Sequence, residues 1–431
     1  MRIGYLVPEF PSQTHTWIWR EYRALAELGV EADLVSTRRP ALVCHPWTKA
    51  AQALTRYLVP FERGDAIEAL RGLLEASPSG LRRCLEVVRA ATDVTPLERL
   101  KLLSLIVVAG RLSRLAKQRG WAQIHVMSAG QAAHLGAFAS YLSGIDYSLT
   151  LLASMQGYGP NQPLKWRDAA FAVVMSEKLL AEVREVLGSA APKRVAIGPM
   201  GVDLDEAQRT TPYVPWRPGE PCRIYGCGRL HPVKGHHILI AAASKLRRKG
   251  IDVRVQIAGA EVVVRGYRDR LLSLVEREGL TGAVDLLGAV PEDRHRQLLE
   301  QAHLFVLASL DEGISVAAME AMALETPAVV TDVGGMRELV AHEEDALLVP
   351  PEDPDALAEA MLRVLEEPER ALSLSRSSRR KIAAAFHHRR SAQALAECLR
   401  MARASREGAA RIGEEPIPDG ASRNRSVGTG A

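Results

Sequence analysis

Cysteine is scarce in this 431-residue chain: Cys44, Cys84, Cys222, Cys227 and Cys398, with no C-x-x-C pair among them. That argues against a disulfide framework and a zinc knuckle, and it fits a reducing, cytoplasmic setting. Long apolar runs are missing too. The greasiest stretch, 102–109, is broken by Ser104 and falls far short of the roughly 20 residues that a bilayer span needs. The first residues are apolar only as far as Pro8, too few for a signal-peptide core, and they read as a strand. Nor is there an excess of one charge. With 55 Lys+Arg against 51 Asp+Glu the net charge is +4, which gives no global electrostatic case for a nucleic-acid partner. No repeat of 20–50 residues is visible.

What is present is an ordinary globular balance, 47% apolar and 25% charged. That supplies enough apolar surface to offset chain entropy over the bulk of the chain. Short apolar strands at 3–7, 31–36, 122–127, 147–152, 171–175 and 195–197 alternate with helical stretches such as 16–28 and 97–119. After a segment holding Pro212, Pro215, Pro218 and Pro221, the rhythm restarts with strands at 222–227, 253–258, 284–287, 304–308, 328–330 and 346–349. Strand–helix alternation implies an α/β fold, here two Rossmann-like domains facing a cleft, with ligands at the carboxyl ends of the strands. The expected division is 1–210, 211–380, a helix over 381–405 returning to the first domain, and a disordered tail over 406–431.

The densest chemical signal follows the strand at 222–227. Gly228-Arg229-Leu230-His231-Pro232-Val233-Lys234-Gly235 places two cations five residues apart on the connecting loop, a combination suited to a diphosphate, although such charges taken alone are more often simply solvated. Gly226-Cys227-Gly228 is not a dinucleotide fingerprint, because the third glycine would fall at His231. A second signal is Asp311-Glu312-Gly313-Ile314-Ser315-Val316, leading into an apolar helix that carries Glu320. Gly313 frees the backbone, so the amides of Ile314, Ser315 and Val316 can meet an anion at a helix N-terminus. Glu312 and Glu320 bracket that spot. Glu320 sits among Ala317, Ala318, Met319, Ala321 and Met322, and a carboxylate on so apolar a helix needs a partner.

Together with Thr331-Asp332-Val333-Gly334-Gly335, these motifs make the chain resemble the family 4 glycosyltransferases, closely over 222–360 and more loosely over the first half. Within that family it is most similar to the exopolysaccharide, colanic-acid-type branch. The resemblance implies a GT-B fold and a metal-independent, retaining transfer without a cofactor. A nucleoside diphosphate sugar would be the donor, and a saccharide or lipid-linked saccharide the acceptor. It also implies that Arg229 and Lys234 hold the donor diphosphate, that Glu312 contacts the transferred sugar and Glu320 the ribose, and that Gly313 to Val316 supply amides. Asp203-Leu204-Asp205 reads as structural, and the pairs His236-His237 and His387-His388 are poor metal ligands.

The pattern breaks in the first half. The family's Thr-x-His-Gly histidine matches Leu152 in Thr150-Leu151-Leu152-Ala153, and leucine offers no hydrogen bond and no charge. His15 or His125 could take its place, the acceptor side could be built differently, or the chain could bind a nucleotide sugar without transferring it. Asn161 reads either as an acceptor contact or as a turn residue. The basic-ended helix at 97–119 either covers the sheet or rests on the inner face of a membrane.

Overall fold

The computed structural model describes residues 1–40, 44–262 and 264–413. Its first sheet contains β1 (Arg2–Glu9), β2 (Glu31–Arg38), β3 (Arg56–Val59), β4 (Gln123–Val126), β5 (Tyr147–Leu151), β6 (Ala172–Val174) and β7 (Val195–Ile197), ordered β3-β2-β1-β4-β5-β6-β7. The second contains β8 (Cys222–Cys227), β9 (Val253–Ala258), β10 (Val284–Gly288), β11 (Leu304–Leu307), β12 (Ala328–Thr331) and β13 (Leu347–Val349), ordered β10-β9-β8-β11-β12-β13. Every pairing in both sheets is parallel. Strands such as β4, β5, β11 and β12 are buried along their whole length, as a sheet covered by helices on both faces requires. The strand order reverses between β1 and β4 and again between β8 and β11, and a crevice opens at each reversal.

One strand was not legible in the sequence. β3 is a four-residue edge strand whose only fully buried residue is Leu58, too short to give an alternating pattern. The helix Pro96–Arg119 opens with a capping box between Thr95 and Glu98 and stops at Gly120. It buries Leu102, Ile106, Ala109 and Leu112 in the first half while Leu97, Leu100, Leu103 and Val107 stay exposed. Nearby, Ile67, Leu70 and Leu74 of the helix Asp65–Leu74 are exposed as well. No helix among the described residues is long and apolar enough to cross a membrane.

The chain crosses between the halves twice, and the crossings touch. The Val202 amide donates to the Phe386 carbonyl at 2.9 Å, and the His388 amide donates to the Val202 carbonyl at 3.0 Å. Val202 and Ala207 are buried with the second half's cluster, so the chain joins the second half before the proline-rich segment begins. The helix Pro368–Ala385 packs in the second half through Ile382, and the helix Arg389–Gly413 lies on the first through Ala392, Leu395 and Leu399. Residues 406–413 are therefore helical rather than part of a tail, continuing a turn in which Arg403 pairs with Glu407. The rest of that expected tail, 414–431, lies outside the described residues.

Candidate active site

Arg229 leaves the end of β8 exposed, and among the described residues its guanidinium has no ion pair or hydrogen bond. It lines a cavity of about 700 Å³ whose other wall belongs to the first half, including Gln13, His15, Leu152 and Tyr158. Lys234 turns the other way. Its stem passes Gly228, where a Cβ would come within 3.3 Å of it, and its Nζ donates to Glu312 Oε1 at 2.6 Å. Ser309 Oγ donates to the same oxygen at 2.7 Å. The Lys234 and Glu312 side chains are only 17% and 9% exposed, so this is a mostly desolvated ion pair with a supporting hydrogen bond.

Two glycines allow the Glu312 loop its shape. Gly334, at φ 58°, lies so close that a Cβ there would sit 1.5 Å from the Glu312 carbonyl oxygen. Gly313 faces the opposite half, against Leu152. Ser315 then caps the helix Val316–Ala323 by accepting the Ala318 amide hydrogen. Among the described residues, nothing accepts a hydrogen bond from the amides of Ile314, Ser315 or Val316. Three free amides at a helix N-terminus form a positive locus beside the Lys234–Glu312 pair. Glu312, Gly313, Gly334 and Gly335 line a second cavity of about 380 Å³, closed on the far side by Ser154, Ser176 and Lys178 of the first half.

Glu320 does have the partners its surroundings demand. Arg20, from the helix Thr16–Glu27 of the first half, donates through Nη1 to Glu320 Oε1 at 3.1 Å. Arg20 is 5% exposed, and it also meets Glu292 (Nη2 to Oε1, 2.5 Å) and Glu206 (Nε to Oε2, 3.6 Å). Burial opposes its charge, but the three carboxylates outweigh burial and raise its pKa. On the other oxygen of Glu320 sits His295, with Nε2 3.2 Å from Oε2. This is a charge contact without hydrogen-bond alignment, since His295 Nε2 has no hydrogen-bond partner. His295 Nδ1 is 2.7 Å from the Tyr225 hydroxyl. Burial alone would depress the His295 pKa, but the Cys227 sulfur and the Glu320 carboxylate favour the imidazolium and raise it to about 10. Burial likewise pushes Glu320 up, but His295 and Arg20 overcome it and lower its pKa to about 2.

The histidines considered as substitutes for the missing one separate clearly. His15 lines the larger cavity and stacks on Phe10 with ring centroids 6.0 Å apart. Burial, then Arg229 and His45, push its pKa down to about 3, so it stands neutral. Its buried Nδ1 has no hydrogen-bond partner. His125 is fully buried inside β4, 2.9 Å from Ser148 Oγ and 2.8 Å from Thr150 Oγ1, and is a satisfied core residue. Asn161 does not reach the cleft. Its Oδ1 accepts the Thr92 amide hydrogen at 2.9 Å and its Nδ2 donates to the Thr92 carbonyl at 2.7 Å, which pins a loop and corrects the acceptor reading. Asp203 Oδ1 caps a turn by accepting the Asp205 amide hydrogen at 3.0 Å. Among the described residues no three His, Cys, Asp or Glu side chains are placed to hold a metal ion.

The structure thus joins Lys234 to Glu312, places Arg229 opposite His15, and gives Glu320 to Arg20. Sequence reasoning missed Arg20, His295, Glu292 and Glu338. The Glu338 carboxylate accepts the amide hydrogens of Glu177 and Lys178 at 2.8 and 2.9 Å, capping a first-half helix from the second half. A signal for two of these residues existed. Arg20 and His295 lie on the buried faces of their helices, in register with Trp17 and Ala24 and with Leu298 and Leu299.

Residues 217–381 match the family model described as glycosyl transferases group 1. Over 376 residues, 84% of this chain and 90% of the relative, the sequence is 26% identical to the putative colanic acid biosynthesis glycosyltransferase WcaL of Escherichia coli K12. It is 31% identical over 189 residues, 42% of this chain and 45% of the relative, to the amylovoran biosynthesis glycosyltransferase AmsK of Erwinia amylovora. The crystal structure of Anabaena Alr3699/HepE in complex with UDP superposes with a TM-score of 0.68 at 16% identity, covering 93% of this chain and all of that one. Sucrose-phosphate synthase from Thermosynechococcus elongatus gives 0.66 at 20% identity, covering 95% of this chain and all of that one. These likenesses show the fold, two parallel-sheet domains of the GT-B kind.

Proposed function

We infer that this chain, a group 1 glycosyl transferase with the GT-B fold, moves a hexose from a nucleoside diphosphate sugar to a saccharide or lipid-linked saccharide acceptor, with retention of configuration. The observation that carries this reading is the set of unbonded amides at Ile314, Ser315 and Val316 beside the Lys234–Glu312 pair, with unpaired Arg229 lining the neighbouring cavity of the same cleft. As the donor bond breaks, negative charge grows on the leaving diphosphate. Fixed amide dipoles and two side-chain cations stabilise that charge without reorganising. Glu312 then lies at the sugar and Glu320 at the ribose, and the side-chain cations do the work a metal would otherwise do. Closure of the halves excludes water and aligns the acceptor hydroxyl.

The relatives named for colanic acid and amylovoran synthesis support a place in exopolysaccharide biosynthesis. A cytoplasmic enzyme working at the inner face of the membrane follows from that reading. The exposed Leu97, Leu100 and Val107 beside Ile67, Leu70 and Leu74 supply an apolar face for peripheral contact with it.

Leu152 favours a second reading, a nucleotide-sugar-binding partner of an assembly complex that does not itself transfer, because Leu152 lines the cavity where a hydrogen-bonding side chain would be expected. Thermal unfolding with UDP, GDP and ADP sugars, followed by donor turnover in the same samples, separates the readings. Ligand at 100 times Kd adds about 2.7 kcal/mol. A rise in Tm together with turnover supports transfer, and a rise without turnover supports the silent binder. No rise with any of the three bases overturns both.

A further inference from the structure

Arg20 is the one first-half side chain that pairs with Glu320 among the described residues, and it does so across the cleft from a position 300 residues earlier in the chain. The Glu320 carboxylate is held from two sides, by Arg20 on Oε1 and His295 on Oε2. His295 is itself fixed by Tyr225 from β8, and Arg20 by Glu292 and Glu206. A carboxylate has about four lone-pair sites, so two cations leave about two acceptor sites to which a diol can donate. Such a carboxylate is acceptor-only, fixed in orientation, and unable to rotate away without breaking an ion pair.

We propose that Arg20 and His295 are positioning residues that lock Glu320 for the ribose hydroxyls of the donor, so that the ribose is read only when the two halves are closed. This rests on the donor reading above, in which Glu320 meets the ribose. Arg20 reaches Glu320 only from the opposite half, so opening the cleft removes one of the two cations and frees the carboxylate to turn. His295 sits three residues from Glu292 on one helix, so one rigid element holds both a partner of Arg20 and a partner of Glu320. Ribose recognition and closure therefore share one guanidinium.

The test compares affinities for UDP, GDP and ADP with those for the matching 2′,3′-dideoxy nucleoside diphosphates by calorimetry on the full chain. Wild type should prefer the ribose form by about tenfold, the scale of hydrogen bonds to a charged acceptor. Glu320→Gln should abolish that preference. Arg20→Met should reduce it to about twofold. If burying Glu292 and Glu320 without Arg20 prevents folding, Arg20→Lys and His295→Gln serve in its place, and both should lower the preference while far-ultraviolet circular dichroism stays unchanged. Glu338→Gln loosens another contact between the halves without touching Glu320, and should shift both affinities equally. An unchanged preference in folded Arg20→Lys and His295→Gln, with the preference lost in Glu320→Gln, would overturn the positioning roles. An unchanged preference in Glu320→Gln itself would remove the ribose assignment beneath them. Failure of all three diphosphates to bind wild type would instead sink the donor reading.

Discussion

A Cβ built on Gly313 would lie 2.4 Å from the carbonyl oxygen of Leu152. The two halves therefore meet backbone to backbone, one residue after Glu312 and at the position where the family motif would place a histidine. The larger cavity has Leu152 in its wall and the smaller one has Gly313, so this contact stands between the Arg229 side and the Glu312 side of the cleft.

Gly313→Ala should hold the halves apart. Gly313 is not in the left-handed region, so alanine brings no backbone strain, only the clash. A displacement of the order of an ångström at the reacting groups should reduce turnover roughly 100-fold. The circular dichroism spectrum should stay the same, and nucleoside diphosphate binding should fall by no more than the roughly tenfold ribose preference, less than turnover does. Normal turnover in Gly313→Ala would show that the Leu152 contact is not part of the productive closed form.

Lys234→Met leaves Glu312 desolvated without a cation. Breaking a buried pair from one side should cost about 3–5 kcal/mol in urea unfolding, and replacing both members should cost much less. The double variant Lys234→Met with Glu312→Gln is thus expected to recover most of the stability and none of the donor turnover. If the double variant is as unstable as the single one, the pair is not what holds the loop.

The pair His295–Glu320 sets a pH window. The folded-state pKa of His295 is raised from 6.5 to about 10, so the stability it contributes is complete below 6.5 and is lost as pH rises through 10. Glu320 is lowered from 4.5 to about 2, so its contribution is complete above 4.5 and is lost as pH falls through 2. Both contributions are whole only between 4.5 and 6.5. Unfolding followed from pH 6 to 10 should show a decline that His295→Gln flattens. An identical slope in the variant would mean that His295 is neutral in the folded protein.

The parts of the site within one loop could be read directly from the sequence. Arg229 and Lys234 follow β8 at a spacing the chain itself displays, and Glu312 to Val316 precede a helix whose apolar run is plain. The Arg20–Glu320 contact could not be read, because its partners are 300 residues apart and only the packing of the two sheets brings them together. The choice between the two readings of Asn161 was closed to the sequence for the same reason. Its partner Thr92 lies 69 residues earlier, and nothing local shows that the amide is already engaged. β3 escaped because an edge strand of four residues buries too little to leave a period.

The most direct test is the steady-state kinetics of Arg229→Ala against wild type with the nucleotide sugar selected by the thermal screen. Arg229 is exposed and, among the described residues, unpaired, so its removal should leave Tm unchanged and report on chemistry alone. Loss of this cation from the leaving diphosphate should lower kcat/KM by about 100-fold. A value of kcat/KM within about twofold of wild type would contradict the account, because an interaction made in the transition state must appear in that ratio.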